Sequence, residues 1–426
     1  MAKDTALDLR QQVIYSVYLR AHTPEGTFVS LIPDLDRIRA LGTDIIWFMP
    51  IHPIGVKGKK GSLGCPYANR DYRSTNPAYG TMDDFRHLAE EIHARGMKVM
   101  IDVVYNHTSP DAVLLTEHPD FYYRDGYGRT GNKIGDWADV IDLDYRNRDL
   151  WDYQIQSLCL WAEIVDGFRC DVASFVPVAF WKAAREAVAR VRPDCIWLAE
   201  TVHMEFGNYA RSSGFYSSRD TEAFEAFDIE YQYDVWDCFE RFLRGELPLR
   251  AWTDMLNFQE AMYPYNYNKL RFLENHDQPR ICERVPGRME RENLEAMLYF
   301  LKGTTLIYAG QEYSCTHTPS LFEREVFPRN GEDISARLAK LALIKKKYLS
   351  AEDSFCAAPA EDTSIAVMER KHGEVRTVGV FSLRGESAMV TLDVPDGRYT
   401  DLISGEEREI RNGEISCSGL PQIFQI

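Results

Sequence analysis

Long hydrophobic runs are absent from this chain of 426 residues, whose apolar stretches are strand-sized and too short to form a transmembrane helix. No secretory signal is visible, because residues 1–5 are polar and the apolar run at residues 13–19 contains Tyr and Ser. Basic residues are outnumbered, and the net charge of −16 disfavours contact with nucleic acid or anionic membranes. We therefore expect a cytoplasmic protein that binds neither nucleic acid nor a membrane.

Paired cysteine motifs are also lacking. The nine cysteines are scattered, and none shows the CxxC or Cys/His spacing of a zinc site. Cys159, Cys170 and Cys195 lie inside apolar runs, which is typical of buried free thiols in a reducing compartment. The sequence thus predicts neither a disulfide framework nor a cysteine metal site, and its 45% hydrophobic content is enough for a large core.

Apolar runs alternate with amphipathic patterns from residue 13 to about residue 350. Between two of these runs, for example, Phe85, Leu88, Ala89 and Ile92 recur at helical spacing. Repeated strand and helix units imply parallel strands with right-handed crossovers, and eight units favour a closed (β/α)₈ TIM barrel of the α/β class. The eight candidate strands are residues 13–18, 44–49, 98–103, 167–170, 195–199, 226–229, 270–273 and 304–308.

Two regions depart from this alternation. Residues 107–148, after the third candidate strand, form a long stretch rich in Tyr, Asp, Gly and Asn that includes Trp137. A loop of this length in a compact domain is usually functional, so we predict a small inserted domain there. Residues 1–106 and 149–352 are then the catalytic barrel, and residues 353–426 a C-terminal antiparallel β domain. Its candidate strands are residues 365–369, 377–383, 388–392, 409–411 and 422–425.

Four of the candidate barrel strands end in carboxylates, amides or histidines. Active sites of such barrels lie where the C-terminal ends of the strands open, so these side chains are expected to converge. The clustering of acids, amides and histidines favours chemistry on a polar, uncharged substrate. The four segments are Asp102-Val-Val-Tyr-Asn106-His107, Gly167-Phe-Arg169-Cys-Asp171, Trp197-Leu-Ala-Glu200 and Phe272-Leu-Glu-Asn-His276-Asp277.

Three acids in these segments suit the cleavage of an acetal between sugars, which needs one carboxylate as nucleophile and another as proton donor. Glu200 follows the more apolar run, which favours the protonated form that an acid catalyst requires. Asp171 follows Arg169 by two residues on the same strand face, and we expect the guanidinium to keep Asp171 ionised as the nucleophile. Asp277, beside His276, is left to orient the sugar. A lone acid at a strand end is more often a cap or an ion-pair partner, but three together favour catalysis.

These four segments resemble, in order, the four signature regions of the α-amylase family of glycoside hydrolases. The resemblance covers residues 13 to about 312, and it includes residues 35–53, Cys65-Pro66-Tyr67 and residues 71–80. It implies a (β/α)₈ barrel, an inserted domain after the third strand and a C-terminal β-sandwich, as the pattern of the chain also predicts.

The resemblance supports the roles proposed for the three acids and adds substrate-binding residues. It implies that Tyr67 is a stacking platform for the sugar at the cleaved bond. His107, Arg169 and His276 become its hydrogen-bonding neighbours. Asp102 is assigned a structural role beside the site.

Arg280 has two readings that the sequence leaves open. It lies three residues after Asp277, and it can reach either the substrate or an acid of a neighbouring loop. The oligomeric state is open as well.

Calcium is not expected to be required, and no other cofactor or metal is predicted. Many calcium-dependent members of the family place a Lys-His pair beyond the nucleophile, where this chain has Ser174 and Phe175. Phenylalanine cannot bind calcium. Asn106 and an acid such as Asp142 or Asp144 remain, but calcium takes six or more oxygen ligands.

Specificity signals conflict. Asp171-Val-Ala and Glu200-Thr-Val-His203 resemble the neopullulanase and maltogenic amylase branch, whereas residues 276–280 resemble oligo-1,6-glucosidases. The mixture predicts a retaining hydrolase of mainly α-1,4 bonds in maltooligosaccharides and related α-glucans. A transglycosylase or a trehalose synthase-type isomerase could use the same scaffold. A non-catalytic glycan-binding relative, in which the catalytic acids are lost, is the remote alternative.

Overall fold

Eight parallel strands form a closed barrel in the computed structural model, which describes residues 5–135, 137–361 and 363–426. The strands are β1 (Val13–Val17), β2 (Ile45–Phe48), β3 (Lys98–Val103), β4 (Gly167–Cys170), β5 (Ile196–Ala199), β6 (Ile229–Tyr231), β7 (Lys269–Arg271) and β8 (Thr304–Tyr308). They follow chain order around the barrel, and β1 closes it by pairing with both β2 and β8. The predicted barrel is confirmed, with strand bounds shifted by a few residues.

The barrel strands are almost entirely buried because the helices cover their outer face. The helices are α1 (Leu19–His22), α2 (Phe28–Leu31), α3 (Leu35–Ala40), α4 (Met82–Ala94), α5 (Val113–Glu117), α6 (Arg148–Ala162), α7 (Val178–Val188), α8 (Met204–Ser212), α9 (Asp220–Ala223), α10 (Tyr233–Leu243), α11 (Leu249–Met262), α12 (Ile281–Arg284), α13 (Arg288–Phe300) and α14 (Ser335–Tyr348). Short 3₁₀ turns lie at Leu7–Gln11, Ile32–Asp34, Pro119–Phe121, Ala173–Phe175 and Gln311–Tyr313.

Helix α4 shows how the sequence specifies one of these covering elements. Thr81 caps its first turn by accepting a hydrogen bond from the backbone nitrogen of Asp84, whose carboxylate accepts one in return. Phe85 and the other predicted apolar residues are buried against the barrel. Gly96, with φ of +70°, then ends the helix in the left-handed conformation that glycine adopts without strain.

The segment between β3 and α6 crosses the C-terminal end of the barrel. A short antiparallel pair, His107–Thr108 with Ile141–Asp142, ties its two ends together. The assignment of residues 107–148 to a separate domain stays a prediction, but the segment lies where it can shape the cavity described below.

The C-terminal region is antiparallel, as predicted, but has more strands than the sequence indicated. The strands are β9 (Ser354–Pro359), β10 (Ile365–His372), β11 (Val375–Ser382), β12 (Ala388–Thr391), β13 (Gly397–Thr400), β14 (Glu407–Ile410), β15 (Glu414–Cys417) and β16 (Gln422–Gln425). A four-stranded sheet has the order β9-β10-β11-β16, and β12 pairs with β15 while β13 pairs with β14. Apolar residues of these strands share a small core.

Side-chain amides join this region to the barrel. Asn257 on α11 both donates to the carbonyl oxygen of Ala357 and accepts from its backbone nitrogen, at 2.8 and 2.9 Å. Asn293 on α13 makes a similar bridge, to Ser382 and Gly419. The nine cysteines are free thiols, and Cys170 and Cys195 are buried while Cys159 is half-buried.

Candidate active site

The three predicted acids line one cavity of about 330 Å³ at the C-terminal end of the barrel. Asp171 directly follows β4 and Glu200 directly follows β5, so adjacent parallel strands deliver their carboxylates side by side. Asp277 reaches the same cavity from the loop after β7. The convergence expected from the sequence is therefore present.

A single guanidinium lies beneath these acids. Arg169 is fully buried, and its Nη1 donates to Oδ1 of Asp171 and to Oδ1 of Asp102, each at 2.9 Å. Its Nη2 is 3.0 Å from Oε1 of Glu200. Arg169 therefore lies behind the acids rather than on the cavity wall, and it holds the carboxylates in place.

The electrostatics differ from the simple expectation that Arg169 keeps Asp171 ionised. Burial, followed by the negative charge of Glu200, raises the pKa of Asp171 well above its usual value despite the guanidinium. Burial likewise raises the pKa of Asp102 to about 7. One positive charge faces three carboxylates, so the guanidinium does not offset the cost of burying the ionised forms of Asp171 and Asp102.

Tyr67 and His276 form a stacked pair on another wall of the cavity. Their rings are 5.3 Å apart and tilted by only 10°. The phenol oxygen of Tyr67 donates to Oδ2 of Asp102 at 3.0 Å and lies 2.7 Å from Nε2 of His276. The aromatic platform predicted at Tyr67 is thus rigidly attached to the carboxylate cluster.

Both predicted histidines are buried and neutral near pH 7. Burial lowers the pKa of His107 to about 4 and that of His276 to about 3. Nε2 of His107 is 4.0 Å from Oδ2 of Asp171, and Nε2 of His276 is 3.2 Å from Oδ2 of Asp277. Each imidazole can therefore hydrogen-bond to a polar ligand without adding a charge.

The loop that carries Asp277 is held by Asn275. Its side-chain oxygen accepts hydrogen bonds from the backbone nitrogens of Asp277 and Gln278 at 2.8 and 2.9 Å. The Asp277 side chain is 40% exposed to the solvent of the cavity. The surrounding protein still desolvates its carboxyl group, which raises the pKa of Asp277. An accessible carboxylate on a fixed loop is suited to contact a ligand.

Arg280 does not reach the cavity, which decides between its two readings. Nη1 donates to Oε1 of Glu274 at 2.6 Å, and the other nitrogens donate to the carbonyl oxygens of Ala309 and His317. Both charged side chains are fully buried. Arg280 therefore pairs with the loop acid Glu274.

Several residues that border the cavity were not singled out from the sequence as site residues. Tyr233 lies two residues after β6 and stacks on His203, with ring centres 4.1 Å apart. Its position after a barrel strand is the signal that could have identified it. Phe206 lies on α8, and other wall residues lie in loops without a recognisable pattern, among them Lys60, Asp139, Val140, Leu321 and Phe322.

The acids that the sequence left as possible calcium ligands, Asp142 and Asp144, already have other partners. Oδ2 of Asp142 accepts from the backbone nitrogen of Lys133, and Asp144 forms an ion pair with Arg146 at 2.6 Å. The Lys133 side chain is half-buried beside these acids, and desolvation lowers its pKa. Within residues 5–135, 137–361 and 363–426, no group of three or more His, Cys, Asp or Glu side chains could hold a metal ion.

Comparison with known families agrees with this geometry. Residues 10–139 and 134–357 match the family model described as alpha amylase, catalytic domain. This chain belongs to the alpha-amylase family of glycoside hydrolases. Residues 357–424 of this family member also match the model described as bacterial alpha amylase C-terminal domain.

Two solved structures are similar to this alpha-amylase family member over nearly its whole length. It is 40% identical to an alpha-amylase from Lactobacillus plantarum, with a TM-score of 0.96 over 99% of this chain and 100% of that one. It is 32% identical to the noncanonic maltogenic alpha-amylase AmyB from Thermotoga neapolitana, with a TM-score of 0.87 over 98% and 99% of the two chains.

A curated relative, the alpha-amylase MalA of Haloarcula japonica, is 25% identical over 93% of this chain. The chain spans only 58% of the length of MalA. Among the described residues of the alpha-amylase family chain, no helix has the length and apolar character needed to cross a membrane.

Proposed function

We propose that this protein is a retaining hydrolase of mainly α-1,4-glucosidic bonds in maltooligosaccharides and related α-glucans. The observation that carries the proposal is that Asp171 and Glu200 contact the two terminal nitrogens of the same Arg169 guanidinium at one cavity. Carboxylates held this closely favour the retaining separation of about 5–5.5 Å over the inverting separation of about 6.5–9.5 Å.

In the first step, Glu200 protonates the glycosidic oxygen while Asp171 attacks the anomeric carbon. The bond to the leaving sugar breaks, and a covalent glycosyl-enzyme ester forms at Asp171. In the second step Glu200 removes a proton from water, which attacks the same carbon and releases Asp171 as a carboxylate. The mechanism requires Glu200 to be protonated and Asp171 to be ionised before the first step.

The other cavity residues bind the sugar at the cleaved bond. Tyr67 provides a flat apolar face, and the neutral His107 and His276 hydrogen-bond hydroxyl groups without opposing the positive charge that develops at the anomeric carbon. Asp277 provides the exposed negative charge that stabilises this oxocarbenium-like state. We also propose that no metal ion takes part.

Proton NMR of maltotriose hydrolysis tests the proposal. Retention predicts that the α-anomer of the new reducing end appears first and equilibrates only later. First appearance of the β-anomer would refute the mechanism. Product analysis separates hydrolysis, which yields glucose and maltose, from transfer, which yields longer oligomers or trehalose.

A further inference from the structure

One side of the cavity is closed by three loops that are tied to one another. They are residues 55–64 after β2, residues 137–140 of the segment between β3 and α6, and residues 320–323 after β8. We call them the three-loop wall, and its cavity-lining members are Lys60, Trp137, Asp139, Val140, Leu321 and Phe322.

The loop after β2 is bound closely to the loop after β8. The backbone nitrogen of Ser62 donates to Oε1 of Glu323 at 2.8 Å, and that of Leu63 donates to the carbonyl oxygen of Phe322 at 3.0 Å. The backbones approach so closely at Gly61 that a Cβ there would lie 2.6 Å from Cβ of Phe322. Only glycine fits this contact, and it also suits the φ of +62°.

A buried arginine fixes the base of the same contact. Arg20, just after β1, donates from Nη1 to the carbonyl oxygen of Gly64 at 3.1 Å and to that of Leu321 at 3.2 Å. Because one guanidinium nitrogen holds both loops, the wall is anchored to the barrel rather than suspended over the cavity.

The other end of the wall reaches the segment between β3 and α6. Nζ of Lys60 forms an ion pair with Oδ1 of Asp139 at 3.0 Å. Asp139 is almost fully buried, while Lys60 is 42% exposed. The Lys60 side chain is exposed, so removing it should affect the barrel little.

Barrel topology places the wall opposite the proton donor. The strand order is circular, and β1 lies between β2 and β8 on the far side of the barrel from β5. Two of its loops follow β2 and β8, whereas Glu200 directly follows β5. The third loop, residues 137–140, extends from this wall towards the β5 side, where Trp137 packs against Phe206 with ring centres 6.0 Å apart. His203 and Phe206, which also follow β5, border the cavity on the side of Glu200.

The proton donor of a glycosidase lies next to the leaving group, which is the reducing-end side of the cleaved bond. The wall therefore faces the non-reducing end of the substrate. We propose that the three-loop wall ends the binding site there, so that the protein removes short units from non-reducing chain ends and does not cleave inside long chains. The cavity of about 330 Å³ is at the small end of ligand sites, which suits a short terminal segment.

This inference rests on the proposed function, and a pair of substrates tests the two separately. One is maltoheptaose with a fluorescent label at the reducing end, and the other is the same molecule with an ethylidene group on the terminal non-reducing glucose. We expect stepwise shortening of the free substrate by a short fixed unit and little cleavage of the blocked one. Equal cleavage of both would overturn the wall proposal alone. Cleavage of neither would overturn the proposed function.

Variants test whether the wall causes this preference. Lys60→Ala combined with Glu323→Ala removes two ties of the wall. We expect the blocked-to-free rate ratio to rise about tenfold, the low end of what pocket shape can discriminate. Lys57→Ala is the control, because Lys57 is exposed in the same loop and does not border the cavity. An unchanged ratio in the double variant, with circular dichroism like the wild type, would show that the wall does not set the preference.

Discussion

The backbone nitrogen of Val172 donates a hydrogen bond to Oε2 of Glu200 at 2.7 Å. Val172 adopts φ of +35° and ψ of +45°, a left-handed conformation that is rare for a β-branched residue. It directly follows Asp171, so the same turn places one carboxylate and orients the other. Strained backbone of this kind is found mainly where a site requires it.

This arrangement predicts different kinetic defects for the two acids. With maltotriose, Asp171→Asn and Glu200→Gln should each lower kcat by about 10³-fold or more, because each loses a group that acts on the reacting atoms. With α-glucosyl fluoride, which needs no proton donor, Glu200→Gln should still form the covalent intermediate while Asp171→Asn should not. Rapid-quench mass spectrometry detects the ester.

Glu205→Gln is the matched control for these changes. Glu205 is an exposed acid on α8, just beyond the cavity, and its variant should retain activity close to that of the wild type. An ester that accumulates in Asp171→Asn, or turnover of maltotriose by that variant near the wild-type rate, would contradict the assignment of the nucleophile.

A histidine outside the cavity predicts a pH effect on stability. His52 is fully buried against Trp161, and burial lowers its pKa from 6.5 to about 4. Between these values the unfolded chain binds a proton that the folded protein does not, so the free energy of unfolding falls as pH drops from 6.5 to 4. The Tm of the wild type relative to His52→Gln should therefore fall across this window.

The comparison uses Tm differences because other groups titrate in the same range. His52 donates to the carbonyl oxygen of Ser74, and a glutamine amide can donate similarly. His87→Gln provides the control, since it removes an exposed histidine and leaves His52 in place. A constant difference for His52→Gln would show that its burial does not govern the effect.

The barrel was predictable from sequence because most of its strands are short apolar runs whose ends lie at the same edge. The exceptions are β6 and β7, which read Ile-Glu-Tyr and Lys-Leu-Arg, and their predicted bounds were displaced. Three C-terminal strands were missed for physical reasons. β9 contains two alanines and ends in Pro359, while β13 begins with Gly397 and is half-buried on one face and exposed on the other. β15 is only four residues long and begins with a charged Glu414. Patterns this weak become strands only when their partners are in place.

The acids of the site were predictable for the same reason as the strands that carry them, whereas their electrostatics were not. Arg169 is two residues from Asp171 in sequence, but its contact with Glu200 depends on the pairing of β4 with β5. The wall was hidden for a related reason, because Ser62 and Glu323 are 261 positions apart. Loop contacts over such separations leave no periodic trace in the chain.

The buried ion pair of Arg280 and Glu274 predicts a large loss of stability without a binding defect. Arg280→Met leaves the Glu274 carboxylate buried without its partner, which should cost about 3–5 kcal/mol in the free energy of unfolding. Adding Glu274→Gln should recover part of this loss. Urea denaturation measures the stabilities, and KM for maltotriose should stay unchanged. A raised KM with wild-type stability would place Arg280 at the substrate instead.

We predict that the protein does not require calcium, because the carboxylates of Asp142 and Asp144 already have hydrogen-bond and ion-pair partners. Asp142 accepts from the Lys133 backbone and Asp144 pairs with Arg146, while the half-buried side chain of Lys133 lies beside both carboxylates. We expect exhaustive dialysis against a chelator to leave Tm and activity unchanged. Added calcium chloride should change Tm no more than sodium chloride of equal ionic strength does.

That salt control is needed because a protein with net charge −16 responds to screening alone. A native calcium ion at about 100 times its Kd would contribute about 2.7 kcal/mol, so its removal would lower Tm reversibly, and such a loss would contradict the prediction.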